Sequence, residues 1–152
     1  MDIDVDRDQF TALIHLRWTE AQRRTGHSMQ DLPWSFGDYP HFHTARGYGV
    51  TFFDKGRCWM KYPDKILSAP PGRADGVIRH ELGHVVDMLV PKKELNRWAK
   101  ARGVTLASTD ERRADDIARC IWGTPIYYDD KLLVQTTQSR GATSPRPRHL
   151  GL

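Results

Sequence analysis

The sequence predicts an α+β fold, with a small antiparallel or mixed sheet packed against an N-terminal helix, a central helix and a following helix. Two observations carry this prediction. Apolar residues recur at helical spacing in three separate stretches, over 6–25, 74–89 and 108–122. Between the first two lie short β-rich runs around a turn. A length of 152 residues fits about one domain with a core of its own.

Taken in order, residues 6–25 place Phe10, Leu13, Ile14, Trp18 and Ala21 on one face, with Asp6 or Asp8 as a cap and Gly26 beyond the end. Residues 27–46 contain Pro33, Gly37 and Pro40 and read as a loop, with Trp34 exposed and His41 and His43 as two ordinary histidines. Residues 47–62 read as a hairpin, with strands at 48–53 and 57–62 around Asp54-Lys55-Gly56. Residues 65–69 add a short strand, stopped by Pro70-Pro71-Gly72. A helix over 74–89 carries the apolar stripe Ile78, Leu82, Val85 and Leu89, and Pro91 ends it. A short helix over 92–102 turns Leu95, Trp98 and Ala99 inward, with Gly103 at its C-cap. The next helix begins at Ser108, buries Ala114, Ile117, Ala118, Ile121 and Trp122, and closes at Gly123-Thr124-Pro125. Residues 126–135 read equally as a strand or a last helix. Domain 1–135 is then followed by a disordered basic tail, 136–152.

Composition excludes several function classes. With 39% hydrophobic and 28% charged residues, the chain is neither fibrous nor disordered as a whole. No apolar run approaches ~18 residues, so no membrane span and no membrane partner are expected. The acidic start Met1-Asp2-Ile3-Asp4 has no apolar core of a secretory signal, and Cys58 and Cys120 are too few for a disulfide framework. A cytoplasmic location is expected. Of the net charge of +4, +3 comes from Arg140, Arg146 and Arg148 in the tail, so nucleic acid is not expected as a partner.

One motif carries chemistry: His80-Glu81-Leu82-Gly83-His84, an HExxH. Residues i and i+4 on a helix are offset by about 40° and about 6 Å, so two imidazoles there converge on one metal ion. Glu81, one step round, reaches a water on that metal. Two neutral imidazoles suit one Zn2+ per chain. The apolar stripe lies away from His80 and His84, which places both histidines at a cleft.

Catalytic zinc takes a third protein ligand and keeps one position open. The metzincin pattern would need a His where this chain has Val90, and a Gly where it has Asp87. Glu111 is the better candidate, 27 residues beyond His84 on the next long helix. Asp115, four residues on, faces the same way and suits the spare N–H of a ligand histidine. Ser108-x-x-Glu111 is also a capping box. On that reading Asp115 becomes the ligand.

The residues Val77 to Asp87, with His80-Glu81-Leu82-Gly83-His84 at their centre, resemble the active helix of the anthrax lethal factor-like and Pro-Pro endopeptidase group. Glu111-Arg-Arg-Ala114-Asp115-Asp116-Ile117-Ala118 resembles the second ligand helix of that group and equally that of small ImmA/IrrE-type peptidases. The resemblance spans roughly 74–122 and is gluzincin-like. It implies a minimal zincin fold and zinc-dependent hydrolysis of peptide bonds in a protein or peptide substrate. His80, His84 and Glu111 would hold zinc, and Glu81 would act as base and then acid. Tyr127 or Tyr128 would donate to the oxyanion, and Asp87 would support a ligand histidine. The strand before the active helix, from 47–53 or 57–62, would pair with an extended substrate. The alternative is a regulatory zincin-fold protein of the ImmA/IrrE kind, cleaving or binding a repressor. Substrate identity and oligomeric state stay open.

Overall fold

The computed structural model describes residues 6–27, 32–45, 47–70 and 72–123. The stretch 126–135, expected to form a strand or a last helix, the basic tail and both Tyr127 and Tyr128 lie outside the described residues.

Helix α1 runs over Arg7–Thr25 and buries Phe10, Ile14, Trp18 and Ala21. Asp6 caps it: its side chain accepts from the Gln9 amide, and the Gln9 side chain accepts in return from the Asp6 amide. The chain then forms β1, Trp34–Phe36, and a 3-10 turn over Pro40–His43. The loop expected over 27–46 therefore contains a strand. Three residues are too few to show a period. The strand is held by tertiary packing, since the Phe10 ring lies 5.6 Å from Trp34 and 5.4 Å from Phe36. Trp34 is accordingly packed against the core rather than exposed.

Strands β2, Val50–Asp54, and β3, Arg57–Tyr62, form the expected hairpin. Lys55 and Gly56 both take positive φ, 52° and 78°, which suits a two-residue turn between twisted strands. The sheet order is β1-β3-β2, with β1 parallel and β2 antiparallel to β3. Strand 57–62 is therefore central, while β2 is an edge among the described residues. The expected strand at 65–69 is instead a 3-10 turn, Asp64–Ser68, entered through Pro63 and anchored by buried Ile66.

Three further helices follow among the described residues: α2, Arg73–Leu89; α3, Lys92–Lys100; and α4, Asp110–Trp122. The result is a mixed α and β architecture around one main core. Cys58, Met60 and Tyr62 of β3 join Ile78, Leu82 and Val85 of α2 and Ile117 and Ile121 of α4. On the other face of the sheet, Phe52 stacks on Trp59 at 5.4 Å, and Phe42 and Val50 fill a smaller cluster. No helix among the described residues is long and apolar enough to cross a membrane.

Candidate metal centre

Helix α2 is buried almost all round. Its apolar stripe packs as expected, but His80, Glu81 and His84 are also 0% exposed. The expected cleft face is thus covered, and the covering element is α4. The physical reason is Gly83. A Cβ at Gly83 would lie 2.4 Å from the Ala114 carbonyl oxygen, so only a glycine allows this approach of the two helices. Gly83 sits between His80 and His84, and Ala114 sits between Glu111 and Asp115. The contact therefore brings Glu111 to both imidazoles and Asp115 to that of His80.

Glu111 Oε1 lies 2.8 Å from His80 Nε2 and 3.5 Å from His84 Nε2. The two imidazole rings stand at 89° with centroids 4.8 Å apart. One donor atom from each of His80, His84 and Glu111 falls within 4.8 Å of the others, so this trio can hold a metal ion. Ligand atoms of a tetrahedral site with legs of about 2.0–2.1 Å stand roughly 3.3 Å apart, near the 2.8 and 3.5 Å from Glu111 Oε1 to the two histidines. Two imidazoles and a carboxylate also fit a catalytic rather than a closed structural donor set.

Asp115 takes the other ring nitrogen. Its Oδ1 is 2.6 Å from His80 Nδ1, the arrangement that fixes a ligand imidazole in one orientation. Glu111 makes no capping box: Thr109 is the N-cap of α4, without a side-chain bond. The Glu111 carboxylate is turned to the histidines instead.

The charges follow from this packing. Burial works to lower the pKa of His80, but the Asp115 carboxylate, then Glu111, outweighs it and raises it above the usual 6.5. Burial works to raise Glu111, but the charge of His84 and hydrogen bonds from both histidines hold it at about 2. When protonated, the His80 ring donates from both nitrogens, to Asp115 and to Glu111.

Asp87, expected beside a ligand histidine, is engaged elsewhere. It lies past the motif on α2 and accepts from Arg113 Nε at 2.6 Å. It pins α4 to α2 rather than orienting an imidazole. Thr51 was missed by sequence reasoning. Its hydroxyl is 2.6 Å from Glu81 Oε1. The available signal was a hydroxyl in the α2-facing phase of an apolar strand. His43, read as an ordinary loop residue, lies 3.0 Å from Asp38.

Compared with known proteins, no protein-family model matches the chain. Neither a curated protein nor a solved structure matches it significantly.

Proposed function

We propose that this chain is a small zinc metalloendopeptidase of minimal zincin fold, which hydrolyses peptide bonds in a protein or peptide substrate. The observation that carries this reading is the meeting of His80, His84 and Glu111 beside a buried Glu81. Bound there, zinc supplies a Lewis acid and lowers the pKa of a water into the neutral range. His80, His84 and Glu111 would hold it, and Asp115 would keep His80 in the tautomer that presents Nε2. Glu81 accepts the water proton and returns it to the leaving amine. The low pKa of Glu111 keeps that carboxylate anionic across the physiological range.

The sheet supports the same reading. Among the described residues β2 is one edge of the sheet, and its Thr51 reaches Glu81. An extended peptide could add to that edge through main-chain bonds, with its scissile bond brought toward Glu81. The central strand β3 has both edges paired, so 57–62 does not serve.

The test combines metal content with cleavage of a mixture-based fluorogenic peptide library. The expected result is one zinc per chain in the wild type and in Glu81→Gln, with cleavage in the wild type alone. Absence of stoichiometric metal in the wild type overturns the reading.

A further inference from the structure

We propose that Thr51 is the positioning residue of the Glu81 carboxylate, holding it in the orientation that accepts a proton. The proposal deepens the hydrolase reading and rests on it. Glu81 sits on α2 with 0% exposure, and Thr51 sits on β2 with 1%. The Thr51 hydroxyl lies 2.6 Å from Glu81 Oε1 and 3.3 Å from the Glu81 carbonyl oxygen. A hydroxyl has one proton to donate, and the shorter contact, the one with the carboxyl group, takes it.

The strand is built to bring that hydroxyl there. Side chains alternate along β2, so 49, 51 and 53 face α2 while Val50 and Phe52 face the second cluster. At Gly49 a Cβ would lie 3.1 Å from Glu81 Cγ and 3.0 Å from Val77, so the strand start runs close against the helix. Two residues on, Thr51 meets the carboxylate itself. The last torsion of a Glu side chain is broad and poorly fixed by its own rotamer preferences. A short bond from a rigid strand fixes it. The same strand is the proposed substrate edge, so one element would register both the peptide and the base.

The test uses Thr51→Val, which removes the hydroxyl and nearly keeps the shape, and Thr51→Ser, which restores the hydroxyl. Two measurements are needed, and neither requires a known substrate. In the metal-free protein, a denaturation cycle pairs Thr51→Val with Glu81→Leu. Thr51→Val should shift the folding equilibrium about tenfold or more with Glu81 present, and by a few-fold at most without it. In the zinc-loaded protein, the probe is acetohydroxamic acid, whose hydroxyl proton must be accepted by a neighbouring base as it chelates. Thr51→Val should bind it about tenfold more weakly at unchanged zinc content. Thr51→Ser should recover within about twofold of wild type, and Glu81→Gln should set the floor. Absence of coupling in the cycle overturns the proposal. Coupling with unchanged hydroxamate affinity also overturns it, because Thr51 is then only a structural partner of a buried acid. Wild-type protein that takes up no zinc overturns the hydrolase reading and this role together. Zinc uptake with normal probe binding in Thr51→Val overturns this role alone.

Discussion

Arg113 Nε donates to Asp87 Oδ1 at 2.6 Å, and both side chains are only 7% exposed. Arg113 also reaches the side-chain oxygen of Asn96 at 3.0 Å, so three helices meet at one guanidinium. Arg113 lies two residues from Glu111 and two from Asp115, which makes this ion pair the anchor of the helix that carries both carboxylates. Removing one partner leaves a buried charge without its counter-ion. Arg113→Met or Asp87→Leu should therefore each cost about 3–5 kcal/mol, while the double replacement should cost much less than their sum. Urea unfolding of the four proteins measures this. Equal and additive losses would show that the pair is not coupled.

A second prediction concerns the helix crossing. Gly83→Ala places a methyl 2.4 Å from the Ala114 carbonyl oxygen, a backbone atom that cannot rotate aside. The helices must separate, at about 1–3 kcal/mol of overpacking. Because Glu111 and Asp115 flank Ala114, the separation also pulls them from the histidines. Gly83→Ala should lose zinc affinity as well as stability, measured by competition with a chromogenic chelator. An unchanged affinity would show that the crossing does not set the site.

Most of the helical frame was legible because it is periodic. Phe10, Ile14, Trp18 and Ala21 and the α2 stripe stand at helical spacing, and each is buried where the period places it except Leu89 at the helix end, which is partly buried. The histidines and Glu81 were legible as an HExxH, and Glu111 and Asp115 by sharing one face of the next long helix. What sequence could not supply were relationships between elements. Trp34–Phe36 becomes a strand by pairing with β3 and packing on Phe10, both in other elements. Val77 to Val86 reads as amphipathic, yet is covered on its polar side because Gly83 admits α4. Asp87 looked like a ligand's helper until its distant partner Arg113 was in view. Thr51 and Glu81 stand 30 residues apart, with no local pattern to join them.

Glu111 and Asp115 of α4 should separate in their effects on metal. Glu111 faces the Nε2 atoms of both histidines, whereas Asp115 bonds His80 through Nδ1. Glu111→Ala should abolish stoichiometric zinc. Asp115→Ala should keep one zinc per chain with an affinity about 10–100-fold weaker. Zinc content after dialysis, followed by a competition titration, distinguishes them. Loss of zinc in Asp115→Ala alone would move the ligand one turn along the helix and leave Glu111 as a bystander.

The site also sets opposite pH dependences for the metal-free and zinc-loaded protein. In the metal-free protein His80 has a raised pKa, so its contribution is complete below 6.5 and is lost as pH rises through the raised folded value. Glu111 is depressed to about 2, so its contribution is present above its ordinary 4.5 and is lost as pH falls toward 2. The metal-free protein should therefore be most stable between about 4.5 and 6.5, and should weaken above that window. Zinc requires His80 Nε2 without its proton, so uptake at neutral pH should release about one proton from this site, and affinity should rise with pH. Calorimetric titration in buffers of different ionisation enthalpy counts the proton. Denaturation midpoints with and without chelator, at acid and alkaline pH, test the crossing: zinc should stabilise far more at the alkaline end. Equal stabilisation at both ends would show that His80 is neutral in the metal-free fold, and that the double hydrogen bond to Asp115 and Glu111 is not carried by an imidazolium.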